Sequence, residues 1–270
     1  MKKENYKISS NHSEIYKKAE YYDIAFDFRD VSKECDFLEE VFLKSVNRKP
    51  ESFLELGAGP AYHTIEFVRR GLKATALDLS KEMVQYGLSK AQADGISIEY
   101  VCADMVSFKL PGQYDLAALL MDSASYLLGN QSVYNHFECV ADCLKEDGLY
   151  VLEISHPRYI FKVGDPQITE WTMERANKKV QFQWGDKDDP FDPITQVTDI
   201  TVRIKYSDGT DEGEIVDKAP GRCFTANEFK ALVDASGCFK IIGIYGAMIE
   251  NIPFDNDKKA WRMVSVLQKI

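Results

Sequence analysis

The run Phe53-Leu-Glu-Leu-Gly-Ala-Gly-Pro-Ala-Tyr-His-Thr64 passes from an apolar strand-like segment into an acid and two glycines. Main chain without side chains at the carboxyl end of a parallel strand lets a ligand come close, at the edge where open α/β sheets bind ligands. Asp78 ends the next apolar run, about 20 residues further on, where a carboxylate can accept both hydroxyls of a ribose. The two features together describe a nucleoside pocket. A pyrophosphate would call for G-x-G-x-x-G, but Gly57 and Gly59 are followed by Ala61, Tyr62 and His63, so the dinucleotide fingerprint is incomplete. Glu55, directly before the glycines, repels a pyrophosphate and suits a ligand carrying an ammonium and a sulfonium.

Other reactive residues offer less by spacing. Cys139 and Cys143 stand one helical turn apart, but no second Cys or His pair has zinc-like spacing, so no metal is expected. The six cysteines are scattered through a chain too long to need disulfides, and are expected to be reduced. Among the four histidines, His12 falls in a polar leader, His63 and His136 in expected helices, and His156 just after an expected strand. The 33 Lys and Arg against 43 Asp and Glu leave a net charge of -10, without the basic footprint of a phosphate-backbone binder. No nucleic-acid partner is expected. No apolar stretch approaches the roughly 18 to 20 residues of a membrane span, and the polar start carries no export signal; a cytoplasmic chain without membrane contact is the expectation.

These residues need a scaffold to hold them, and the hydrophobic pattern supplies one. Residues 1–18 read as a loose leader. Ile24, Phe28, Val31, Cys35, Leu38 and Phe42 recur at steps of three and four, which predicts one N-terminal helix. Strands are expected at 52–56, 73–77, 97–102, 115–121 and 149–154, with helices at 63–70, 80–93 and 133–144 between them. Near-continuous apolar strands separated by helices mean a parallel sheet covered on both faces. After His156 the runs KKVQFQWGD and TQVTDITVRIKY, with SDGT as a tight turn, predict an antiparallel insertion. Thr225-Ala-Asn-Glu228 has capping-box spacing and opens a helix that ends at Gly237, followed by strands at 239–245 and 260–267.

In this order and spacing, ELGAGPAYHT, ATALDLSKEMV, CADM, YDLAALLMDSASYLL and LKEDGLYVLEI resemble the successive motifs of class I S-adenosylmethionine-dependent methyltransferases. Each motif alone is weak; the ordered set is specific. The chain departs from the pattern where Ala61 replaces the third glycine and Pro60 the common Thr or Ser. The resemblance implies a Rossmann-like doubly wound seven-stranded α/β sheet with a reversed C-terminal hairpin and an antiparallel β insertion after strand five. It divides the chain into a leader and cofactor-covering helix (1–49), a core (50–155 and 223–270) and an insertion (156–222). It further implies S-adenosylmethionine as cofactor, leaving as S-adenosylhomocysteine. Glu55, Gly57 and Gly59 would cradle its methionine part, Asp78 the ribose, and Leu79 and Met83 the adenine. Asp104 would accept from the adenine amine beside Met105, the backbone at Met121 would face the methionine amine, and Tyr22 and Arg29 would reach the carboxylate.

Methyl transfer from a sulfonium is a direct displacement, so the protein mainly aligns the reacting atoms and excludes water. The catalytic candidates for taking an acceptor proton are His156, Tyr126 and Tyr22, among strand-end neighbours that include Asp122, Ser123 and Tyr245. Trp171, Phe182, Trp184 and Phe191 give the insertion, placed where it can roof the pocket, apolar or cation-facing surface, similar to methyltransferases of glycine-type amines and amino sugars; packing on the insertion's own core or against a homodimer mate is the other use for them. Arg222 is a candidate for an acceptor carboxylate or for an insertion acid. The leading reading is therefore methyl transfer to a small-molecule amine nitrogen, or to a hydroxyl or carboxylate oxygen. The rivals are a nicotinamide-dependent oxidoreductase and a non-catalytic protein that binds the cofactor and a partner. Nucleic-acid methylation ranks lower, because MDSASY stands where a base-handling Asn/Asp-Pro-Pro-Tyr/Phe would follow strand four.

Overall fold

A computed structural model describes residues 13–159, 168–249 and 252–270; His12 and residues 160–167 of the expected insertion lie outside them. The described chain opens with helices α1 (Ser13–Lys17), α2 (Ala19–Ala25) and α3 (Val31–Val46). The single helix expected from Ile24 is thus two. The Asp30 carboxylate accepts from the Lys33 N–H at 3.2 Å and starts α3 afresh, and Phe28, in the break, is 56% exposed. A side-chain cap favours a new helix start over propagation of the old one.

Strands and helices then alternate: β1 (Ser52–Leu56), α4 (Tyr62–Arg69), β2 (Lys73–Asp78), α5 (Lys81–Ala93), β3 (Glu99–Cys102), β4 (Tyr114–Leu119), α6 (Asn130–Cys143) and β5 (Leu144–Ser155). After them come five further strands: β6 (Thr169–Arg175), β7 (Lys178–Trp184), β8 (Phe191–Asp192), β9 (Val197–Ser207) and β10 (Glu212–Arg222). Helix α7 (Ala226–Ser236), with the expected Thr225–Glu228 capping box and a left-handed Gly237, leads to β11 (Phe239–Tyr245) and β12 (Arg262–Lys269). The main sheet runs β11-β12-β5-β4-β1-β2-β3, parallel through β5 and antiparallel at β12 and β11. The expected seven strands and reversed hairpin are both present. Successive connections run to opposite sides of β1, so the glycine turn after it lies at the topological switch point. Alternate strand residues feed the two faces: Leu54, Leu56 and Leu152 pack with Phe137 of α6 and Phe229 of α7, while Phe53, Leu116 and Val151 pack with Leu38 and Phe42 of α3.

Strands β6 to β10 make a separate antiparallel sheet in the order β10-β9-β7-β6, with β8 on β9. Pro220, which cannot donate to a ladder, sits on the edge strand β10. The face carrying Val180, Phe182, Val202 and Ile204 is buried against Ile15, Ile24 and Phe26 of the N-terminal segment. Trp171 stacks on Phe182 at 4.7 Å and donates from Nε1 to the Ala25 carbonyl at 2.6 Å. The aromatic insertion therefore clasps the N-terminal helices.

Two charge clusters fix that arrangement. Asp23 on α2, 1% exposed, accepts from Lys90 of α5 and Arg175 of β6, both at 2.5 Å, and from the Tyr86 hydroxyl at 2.8 Å. Burial alone would raise its carboxyl; Lys90 and Arg175 outweigh that and hold it below the ordinary range. The second cluster alternates in charge. Arg29 donates to Glu34 at 2.5 Å, the two His63 nitrogens face Glu34 and Glu55 at 2.8 Å each, and Glu55 accepts from the Thr64 N–H at 2.8 Å and hydroxyl at 2.7 Å. Ala61 at the N-terminus of α4 has no side chain to cap with, so the Glu55 carboxylate reaches over from β1 to satisfy that helix end. His63 is fully buried, which pulls its proton affinity down, but the Glu34 and Glu55 carboxylates prevail over burial and over nearby Arg29, and raise it above the ordinary value.

A raised folded-state value means that the stabilisation by His63 is complete below its unfolded pKa, about 6.5, and fades as pH rises through the folded one. His63→Gln should cost on the order of 3 kcal/mol at pH 6, the scale of breaking a buried ion pair. In urea titrations the gap from wild type should narrow as pH is raised to 9; a gap that widens would contradict the imidazolium bridge.

Candidate functional site

At the carboxyl ends of β1, β2 and β4 lies a cleft of about 450 Å³, within the range usual for small-molecule sites. Gly57 and Gly59 both have left-handed backbone, at φ of 56° and 53°. A Cβ on Gly57 would stand 3.2 Å from Ser123 Oγ and 3.4 Å from Leu119 Cδ1, so only glycine passes there comfortably. A Cβ on Gly59 would meet no protein atom within 4 Å, because that position faces the cleft. The carboxylate of Asp78 bridges the floor, accepting from the N–H groups of Gly59 and Ser80 at 2.8 Å each. Burial raises its carboxyl above the usual range, against the pull of those two N–H groups. The third glycine position, Ala61, takes a left-handed φ of 60° and is completely buried.

Of the residues expected to bind cofactor, Tyr22, Gly57, Gly59, Asp78, Leu79, Met83, Asp104 and Met105 all line this cleft. Asp104 keeps its turn by accepting from the Val106 N–H at 3.0 Å. Glu55, Arg29 and Met121 stand outside the lining. The Glu55 oxygens are taken by His63 and Thr64, and Arg29 is spent on Glu34. Met121 has φ of 55° and gives its N–H to Glu153 at 2.9 Å, which turns the chain sharply where β4 ends.

The catalytic candidates separate in the same way. His156 is built into a strand-end junction: Nε2 donates to the Asp255 carbonyl at 2.9 Å and Nδ1 accepts from the Arg158 N–H at 3.2 Å. Burial lowers its proton affinity, so it is a neutral structural link away from the cleft. Tyr126 does line the cleft, and its hydroxyl meets that of Tyr16 at 2.7 Å. Burial pushes Tyr126 up to about 12 and also raises Tyr16 and Tyr22. These phenols stay protonated at neutral pH, which fits orienting hydroxyls rather than bases.

Several positioning residues escape sequence reasoning. Tyr100 donates to the Gly59 carbonyl at 2.5 Å, and it reaches there only because Gly87 leaves room: a Cβ on Gly87 would lie 2.6 Å from the Tyr100 ring. His136 donates from Nδ1 to the Met105 carbonyl at 2.8 Å and accepts the Tyr150 hydroxyl at 2.5 Å, steadying the cleft wall. Burial lowers it to about 4, so it is neutral. Arg222 does not reach the cleft; it pairs with Glu228 of α7 at 2.6 Å and Asn130 at 2.7 Å. No helix among the described residues is long and apolar enough to cross a membrane.

The cleft floor suits a nucleoside whose other end comes close to glycine backbone, with Gly57 as the cradle that a Cβ would fill. A family model described as a methyltransferase domain matches residues 53–148. A putative methyltransferase of Geobacillus sp. (strain WCH70) is 29% identical over 118 residues, 43% of this chain and 47% of that protein. The chain spans about half the length of the curated relatives it matches. An S-adenosylmethionine-dependent methyltransferase from Clostridium acetobutylicum ATCC 824 has a similar fold, with TM-score 0.75 at 18% identity over 92% of this chain and 95% of that one. The sugar N-methyltransferase KedS8 from Streptoalloteichus sp. ATCC 53650 superposes with TM-score 0.70 at 18% identity, over 92% of each chain. Residues 53–148 are therefore a methyltransferase domain, in a chain with the fold of the class I S-adenosylmethionine-dependent methyltransferases, the family whose cofactor is S-adenosylmethionine.

Proposed function

We propose that the protein transfers a methyl group from S-adenosylmethionine to the nitrogen of a small-molecule amine. The observation that carries this reading is the adjacency of two cavities: Tyr16, Tyr22, Tyr126 and Pro220 form a wall shared by the large cleft and a small aromatic chamber beneath the antiparallel sheet. The cofactor belongs to the cleft and the methyl acceptor to the chamber side. Several of the structural relatives are named as sugar or glycopeptide N-methyltransferases, which agrees with an amine acceptor.

In this reading Asp78, already oriented by the Gly59 and Ser80 N–H groups, offers its remaining lone pairs to the ribose hydroxyls. Leu79 and Met83 flank the adenine, Asp104 accepts from its amino group, and the open side of Gly59 admits the methionine part. When bound, the cofactor would supply an electrophilic methyl carbon on sulfur, to be displaced by the amine lone pair with the sulfur keeping the bonding pair. The protonated Tyr16 and Tyr126 hydroxyls orient the acceptor without drawing its proton, which passes to water. Glu55 acts at one remove, holding α4 and the glycine turn in place.

Asp78→Asn keeps an acceptor for one backbone N–H but loses the charge. It should weaken binding of S-adenosylhomocysteine by about 1.5 to 3 kcal/mol, the range for hydrogen bonds to a charged group. Gly57→Val should abolish binding, since the new side chain meets Ser123 and Leu119 in a strained backbone region. Calorimetric titration checks both, with melting curves to show that the variants fold; wild-type affinity in either would remove the cleft as the cofactor site.

A further inference from the structure

The small chamber shares the Tyr16–Tyr126 hydroxyl pair with the cleft as a common wall. Its walls are rings and aliphatic groups: Tyr16, Tyr22, Tyr126, Phe182 and Trp184, with Ile15, Ile200 and Val202. Asp217 of β10 is the one carboxylate in this wall. Its oxygens are held by the backbone N–H of Glu14 at 3.2 Å and of Lys218 at 2.9 Å, and among the described residues it forms no ion pair. Tyr126 lines both cavities, with Asp217 in the wall of the chamber and Asp78 in that of the cleft.

We propose that this chamber is the acceptor's nitrogen site, with Asp217 anchoring a primary or secondary aliphatic amine carried on a scaffold that has no anionic group beside the nitrogen. The inference rests on the methyltransferase reading and specifies its substrate. A carboxylate among π faces is a cation site: it draws in the acceptor as an ammonium, which gives one proton to water to free the lone pair that takes the methyl, and it holds the ammonium that transfer creates. As the methyl moves, positive charge passes from the sulfonium to the nitrogen, and Asp217 lies where it arrives. The free volume of about 20 Å³ admits a group the size of one water, so the nitrogen end enters and the rest of the acceptor occupies the wider cleft. Among the described residues no Lys or Arg lines the chamber. Arg222, the residue best suited to an acceptor carboxylate, pairs through one nitrogen with Glu228 and Asn130 and lines neither the chamber nor the cleft. An α-amino carboxylate would therefore bring an anion next to Asp217 with no cation in the chamber wall to receive it, Lys17 of the cleft being paired with Glu14, at a cost in like-charge repulsion. The chamber selects amino sugar-like or simple aliphatic amines and rejects glycine-type ones.

The test uses the whole chain saturated with S-adenosylhomocysteine, titrated calorimetrically with D-glucosamine, cyclohexylamine, sarcosine and cyclohexanol. Methyl transfer to the same compounds is measured with S-adenosylmethionine. The amines without a carboxylate should bind and be methylated, while sarcosine and cyclohexanol should not. Asp217→Asn, which retains an acceptor for the Glu14 N–H, should weaken amine binding and raise KM roughly 10- to 100-fold, leaving S-adenosylhomocysteine affinity unchanged; Asp217→Glu should restore part of the loss. Sarcosine preferred to the carboxylate-free amines, no binding of either amine, or unchanged amine affinity in Asp217→Asn would overturn the amine site alone. A wild-type protein that binds no S-adenosylhomocysteine would overturn the methyltransferase reading together with it.

Discussion

The carboxylate of Glu55, 4% exposed at the end of a central strand, cannot remain without donors in a dry interior. It finds them at the bare N-terminus of α4 and on His63 of the same helix, and the glycine turn is held between Glu55 and these partners. His63 in turn requires Glu34, and Glu34 requires Arg29, so the requirement passes outward from the sheet to the N-terminal segment. The cleft floor and the helices beside it are thereby registered to one another by a chain of neutralised charges. An acid that sequence pattern assigns to the ligand serves the turn that meets the ligand.

The parallel core is legible because its determinants are local. Apolar runs, a serine cap at Ser80, the Thr225 box and Gly237 each act within a few residues, and each appears as expected. The N-terminal helix is misread as one because the apolar spacing continues through residues 26–30, while the interruption depends on a single carboxylate at Asp30. Strand-end acids also divide in a way that spacing does not reveal. Asp78 turns its oxygens to the cleft floor, whereas Asp122 turns to Ser155, accepting from its N–H at 2.9 Å and its hydroxyl at 2.8 Å. Which of two neighbours an acid chooses depends on donors far away in sequence.

The same limit explains the missed residues. Tyr16 sits in a five-residue helix too short to show periodicity, and Asp217 lies on a strand whose alternation is ordinary. Their relation to the cleft arises only when the antiparallel sheet folds over the N-terminal helices. His156 errs in the other direction: its position after β5 marks the ligand edge, but the loop bearing Asp255 captures it first. The insertion aromatics split likewise, with Trp171 gripping α2 and Trp184 facing the chamber.

The clasp between α2 and the second sheet also orders events in time. Asp23 and Arg175 are 152 residues apart, and the apolar partners around them are also far apart in sequence. At roughly 5 to 20 residues per second of synthesis, about 10 to 30 s separate the emergence of α2 from that of its strands. Over that interval Ile24 and Phe26 have no sheet to cover them, while the strands of the parallel core are already available to one another. The nascent chain thus holds a nearly finished nucleoside site before its roof exists.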